Sequence, residues 1–163
     1  MMRHVFSVIV ENKYGVLSRI SGLFSARGYN IESISFASMN GDGTGQITMV
    51  VSGDEWVLEQ VSKQLNKLIE VIKVVDITGQ NYIDRELVLV KVNSSKATRM
   101  EINQVVNIFR AKIVDISPKT LTIEATGKED KINAIIGMLK PFGIKEVART
   151  GIIAMKREFT GKV

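Results

Sequence analysis

The residues of this chain best placed to do chemistry lie in one stretch, from Glu11 to Ser35, ENKYGVLSRISGLFSARGYNIESIS. Gly15 stands where a strand pattern gives way to a helix pattern, with the amide of Asn12 just before it. The first N–H groups of a helix have no intrahelical partner and form the positive end of its dipole. With no side chain at position 15, the N–H groups of Gly15, Val16 and Leu17 can reach an anion such as a carboxylate. Each charge-assisted bond of this kind contributes roughly 1.5–3 kcal/mol. Asn12 supplies a donor and an acceptor and can hold an ammonium beside that carboxylate. Asn30, at the start of the next strand, supplies a second amide. Both residues also have plain readings: Gly15 as a tight strand-to-helix turn, and Asn30 as a turn residue.

Gly22 is a different case. A glycine in a helix interior costs about 1 kcal/mol relative to alanine, so it usually marks the close approach of another backbone. It lies off the apolar stripe of Leu17, Ile20 and Phe24 that faces the sheet, which leaves a second copy of the same helix as the simplest neighbour. A two-fold contact puts like surfaces together. On this reading one subunit provides the helix mouth and the other provides Asn30. Gly28 reads as a left-handed residue closing the helix.

Other chemistries find little support. There is no cysteine, hence no thiolate zinc site and no thiol nucleophile. The single histidine, His4, stands beside a terminus expected to fray and belongs to no Ser/His/Asp set. No GxxxxGK[ST] or GxGxxG occurs, and GDGTG joins two strands rather than a strand and a helix. The net charge of +5 is spread along the chain, its densest part being the tail MKREFTGK, rather than gathered into a nucleic-acid patch. The strands QITMVVSG and TLTIEATG have no aromatic residue for stacking on bases. Arg19 does not fit a phosphatase loop, because it lies a turn into the helix. Trp56 reads as a partly buried packing residue. The apolar run from Val5 to Val10 is too short for a secretion signal or a membrane span, so a cytoplasmic location is expected.

The elements that position these residues follow from periodicity. Strands are expected at 4–11, 30–39, 46–53 and 69–78, and helices at 16–27 and 54–68. The second helix carries Leu58, Val61, Leu65 and Leu68 on one stripe behind an Asp54 N-cap. The order β-α-β-β-α-β is the ferredoxin-like arrangement, an antiparallel four-stranded sheet with both helices on one face. The second half repeats it: strand 85–93, a helix marked by Ile102, Val105, Val106 and Phe109, the hairpin 111–127, a helix marked by Ile132, Ile135, Ile136 and Leu139, and a closing strand in IKEVARTGIIAM. The expected class is therefore α+β, with two tandem ferredoxin-like modules at 1–79 and 80–163. The counterpart of the first helix has no glycine where Gly15, Gly22 and Gly28 stand, so the chemistry belongs to the first module.

The stretch from Glu11 to Ser35, together with GDEWVLEQVSKQLNKLIEVIKV, RELVLVKV, IFRAKIVDIS and EVARTGIIAM, resembles the small, regulatory subunit of acetohydroxyacid synthase (acetolactate synthase) over essentially the whole chain. The resemblance implies that the first module is an ACT domain, which binds amino acids at a contact between two copies. It implies a non-catalytic subunit that activates a large catalytic chain and confers feedback inhibition by a branched-chain amino acid, most often valine. Thiamine diphosphate, FAD and magnesium would then belong to the catalytic partner. Carried over by position, Asn12, Gly15, Val16, Leu17, Asn30 and Ile31 form the effector site, with the isopropyl group of valine against Val16, Leu17 and Ile31. The second module is implied to serve dimerisation and contact with the catalytic subunit. A free-standing amino-acid sensor without an enzyme partner is the other reading of the same site.

Overall fold

The computed structural model describes residues 2–39 and 41–158. The chain divides into two compact units, one running to Ile83 and taking up the chain again from Ile152, the other spanning Asp84–Gly151.

In the first unit, β1 (Met2–Glu11), α1 (Val16–Arg27), β2 (Asn30–Ser38), β3 (Thr44–Gly53), α2 (Glu55–Leu65) and β4 (Val71–Asp76) follow in chain order. The strands lie side by side as β2-β3-β1-β4, each antiparallel to its neighbours. Alternation along β1 sends Phe6, Val8 and Val10 to one face, where Ile47, Met49 and Val51 of β3 join them. Val16, Ile20 and Phe24 of α1 and Leu58, Val61 and Leu65 of α2 complete the same cluster, so both helices cover one face of the sheet. Each such side chain contributes about 1.5–3 kcal/mol by leaving water. Asp54 caps α2 as expected, its side chain accepting from the Val57 N–H at 2.8 Å.

The stripe on α1 differs from the expected one. Its centre is Ile20, with Val16 and Phe24 a turn to either side, and Leu17 is 40% exposed. At 100° per residue Leu17 stands about 60° from that centre and Leu23 about 60° on the other side. Both are borders of the stripe. Trp56, at 65% exposed, is also not a packing residue: it sits in the first turn of α2, off the face that Leu58 begins.

The other face of this sheet has a small apolar cluster of its own, Val5, Val50 and Ile77 with Ile152 and Ala154. Ile152 and Ala154 come from the far end of the chain. The expected single strand from 144 to 155 is broken at Thr150 and Gly151, the glycine having φ 71°, and becomes β8 (Ile144–Arg149) and β9 (Ile153–Lys156). β9 pairs with β5 (Tyr82–Asn93), whose first two residues belong to this unit. The Ala154 N–H donates to Thr48 Oγ1 at 3.3 Å and the Arg157 N–H to the Asn81 carbonyl at 2.9 Å. The division at 79/80 is thus displaced: the linker up to Ile83 and the segment from Ile152 pack with the first unit, because their apolar residues cover its outer sheet face. The basic tail falls partly outside the described residues.

The second unit repeats the topology with β5, α3 (Arg99–Ile108), β6 (Lys112–Ile116), β7 (Thr120–Gly127), α4 (Glu129–Leu139) and β8, in the order β6-β7-β5-β8. Val88, Val90 and Val92 of β5 form its core with Leu121, Ile123 and residues from both helices. Both units are therefore antiparallel α+β sheets with two helices on one face, the ferredoxin-like plan. Glu86, almost fully buried, is held by Arg149 through two bonds, Nε to Oε1 at 2.6 Å and Nη2 to Oε2 at 2.8 Å. No described helix is long and apolar enough to cross a membrane.

Candidate functional site

The loop between β1 and α1 is held from two sides. The Asn12 N–H donates to the Gly43 carbonyl in the β2–β3 turn at 2.8 Å, and Lys13 N–H to the Glu11 carbonyl at 2.9 Å. Gly15 then takes φ 82° and ψ 0°, a left-handed conformation that side chains disfavour. The turn reading of this glycine is therefore correct, and it does not exclude the other. Its carbonyl accepts the first helical bond, from the Arg19 N–H at 2.9 Å, while the Val16 N–H reaches back to Lys13 O at 3.3 Å. Among the described residues, the Gly15, Leu17 and Ser18 N–H groups have no protein acceptor. α1 has no side-chain cap and no acidic residue in its first turn, so its positive end is uncompensated from within the helix.

The side chains around this mouth are Asn12, Tyr14 and Leu17, all exposed, and a set of charges. Arg19 Nη2 donates to the Tyr14 carbonyl at 3.2 Å and pairs with Glu70 Oε1 at 2.6 Å. Lys13 pairs with Glu11 at 2.5 Å. The hydrogen bond to Glu11 holds the Lys13 ammonium above its usual pKa, and the charges of Glu11 and Glu70 add to it.

Asn30 and Ile31 are not brought to the mouth within one chain. Asn30 pairs with Ser52 on β3, its Nδ2 3.4 Å from Ser52 Oγ, and Ser52 pairs with Arg3 on β1. Ile31 pairs with Val51, which pairs with His4. The mouth follows Glu11, at the other end of β1, about 27 Å from Arg3 at the rise of a strand. Asn12, Gly15, Val16 and Leu17 thus form one half of the expected set, and Asn30 with Ile31 the other.

Gly22 lies on the exposed side of α1, and a Cβ there would meet nothing within 4 Å. A feature missed in the sequence surrounds it. Ser18, Ser21, Gly22, Ser25 and Ala26 recur at i, i+3, i+4, i+7 and i+8 and are all exposed, so one side of the helix consists of small residues. The signal was present as helical spacing but in residues too polar to register as a stripe. The Arg19–Glu70 pair was also missed, since nothing local joins residues so far apart in the chain. His4, expected beside a frayed terminus, instead lies inside β1 with Nδ1 2.6 Å from Asp76 Oδ2.

Comparison with known proteins places these features. Residues 6–73 match the AHAS small subunit-like ACT domain, and residues 85–158 match the family described as the small subunit of acetolactate synthase. The chain is 50% identical over 161 residues to the acetolactate synthase small subunit of Aquifex aeolicus, covering 98% of this chain and 84% of that one. It is 51% identical over 156 residues to a probable acetolactate synthase small subunit of Archaeoglobus fulgidus, covering 96% and 98%. Among solved structures, the acetolactate synthase small subunit of Thermotoga maritima superposes with a TM-score of 0.89 at 40% identity, covering 96% of this chain and 98% of that one. Two domain matches that together span most of the chain, relatives at half identity over nearly its full length, and a shared two-unit fold establish that this chain belongs to the acetolactate synthase small subunit family.

Proposed function

We propose that this chain is the non-catalytic, regulatory subunit of an acetolactate synthase. It binds a branched-chain amino acid, valine in the first instance, between the first units of two copies. The carboxylate meets the free N–H groups at the start of α1. The ammonium meets the side chains of Asn12 and of Asn30 from the other copy, and the isopropyl group meets Leu17 and Ile31; the side chain of Val16, expected to share in this contact, is buried in the core instead. Binding shifts the dimer between two arrangements, only one of which keeps the cytoplasmic catalytic chain active. Thiamine diphosphate, FAD and magnesium belong to that chain.

The observation that carries this reading is the separation of Asn30 from the helix mouth, taken with the small-residue side of α1. Gly22 stands near the middle of a helix of 12 residues. A two-fold axis beside it and perpendicular to the helix runs two α1 helices antiparallel, so that the start of one lies against the end of the other. Asn30 follows closely on that end. β2, which carries Asn30, is an edge of the sheet and open to a neighbour. One symmetric contact therefore completes the set twice.

Reconstitution with the large subunit tests the proposal. The wild-type chain should raise acetolactate formation and make it sensitive to L-valine. Gly15→Asp should keep the stimulation and lose the sensitivity, because its carboxylate takes the ligand's place. Valine inhibition equal to wild type in that variant would refute the helix-mouth site. A chain that binds valine without changing the large subunit's activity would favour the free-standing sensor.

A further inference from the structure

Arg19 stands where a ligand carboxylate has to come. Its Nη1 is 3.3 Å from the point that a Cβ on Gly15 would take, and its Nη2 bonds to the Tyr14 carbonyl at 3.2 Å. A cation beside the first turn of its own helix is at the wrong end of the dipole. The other described α-helices, α2, α3 and α4, each place an acid in that turn instead. What holds the guanidinium there is Glu70, at 2.6 Å, whose side chain is 15% exposed and whose carbonyl accepts the Glu11 N–H at 2.7 Å. Glu70 has a second cation within range of its charge, Lys13, which is paired with Glu11.

We infer that Arg19 and Glu70 form an ion-pair latch on the effector mouth, in which the carboxylate of an incoming amino acid takes the Arg19 guanidinium from Glu70. The inference rests on the effector reading above and adds a regulatory residue pair to it. Glu70 is an internal competitor of the ligand: both are carboxylates drawn to Arg19 Nη2, which Glu70 now holds. Exchange also changes what holds α1 to the chain entering β4, since Glu70 immediately precedes Val71. Occupancy of the mouth is thereby communicated to the edge of the sheet opposite β2.

Calorimetry of the full chain with its large subunit, titrated with L-valine and with L-valinamide, tests the latch. Valinamide keeps the ammonium and the isopropyl group but lacks the charge that Arg19 would bind. Arg19→Gln should weaken L-valine about tenfold, as expected for one charge-assisted bond, and leave valinamide unchanged. Arg19→Lys should recover part of the loss. Glu70→Gln, which removes the competitor, should tighten L-valine severalfold without affecting valinamide. Melting temperatures of each variant check that the fold is kept. Equal weakening of both ligands in Arg19→Gln, or no tightening in Glu70→Gln, would overturn the latch while leaving the effector site standing. No heat with L-valine in the wild-type complex would remove both.

Discussion

Asn30 and Gly15 lie at opposite ends of one four-stranded sheet, with the length of β1 between them. A site that uses both must draw them from different copies, and this can be tested without any structure of a complex. Gly15→Asp and Asn30→Ala should each abolish valine binding as pure proteins. Mixed and allowed to exchange, they form heterodimers in which one site has both residues mutated and the other has neither. Binding should then return at about a quarter of the wild-type stoichiometry for an equal mixture. Calorimetry reads the recovered sites directly, and a mixture as silent as its parents would refute a site shared between two copies.

The Asp76 carboxylate should give the first unit a pH-dependent share of its stability. Burial pushes its pKa up. The Thr78 hydroxyl and N–H, both bonded to Oδ1, together with His4 on Oδ2, outweigh burial and hold it below the usual carboxylate value. A depressed folded pKa means that the stabilisation is complete above the unfolded value of about 4 and is lost as the pH falls through the folded value. Wild type should therefore exceed Asp76→Asn in urea midpoint near neutrality, and the gap should close in acid below that value. A gap independent of pH would mean that Asp76 acts only through its shape.

In the second unit the Glu86–Arg149 pair should be strongly asymmetric in its response to mutation. Arg149→Ala leaves a carboxylate 3% exposed with no cation, which costs about 3 kcal/mol or more. Replacing both members with apolar residues of similar size should cost much less than the two single changes added together. Urea unfolding of the single and double variants measures the coupling, and strict additivity would show that the two groups do not depend on each other.

Asp54→Ala should remove the only bond that the side chain of this N-cap makes to the start of α2, that to the Val57 N–H. The expected loss is about 1 kcal/mol, visible as a lower melting temperature. Asp54→Ser should restore most of it.

Much of the fold was legible because it rests on local rules. Leu58, Val61 and Leu65 announce α2 by their spacing, Asp54 announces its start, and the β-α-β-β-α-β order leaves few ways to connect the strands. What was misread involved choices between neighbours. Val16 and Leu17 are both apolar at the head of α1, and only the sheet beneath decides which one turns inward. Gly151 looked like a residue inside a strand, yet it takes a left-handed φ and ends one. Of the candidate site, the turn at Gly15 was legible, since a glycine between a strand and a helix has few roles open to it. The site's charges were not, because the partner of Arg19 is set by the path of a distant loop that carries Glu70.

The return of the chain's last described strand to the first unit has a consequence for biosynthesis. Val5, Val50 and Ile77 are made early, but the residues that cover them, Ile152 and Ala154, leave the ribosome only after the whole second unit has been synthesised. The first unit is thus begun first and finished last, and an apolar patch on its sheet stays bare until the second unit has been made. A chain stopped within the second unit would keep that patch exposed, marking it for chaperones or proteases before it could compete with full-length copies for a partner.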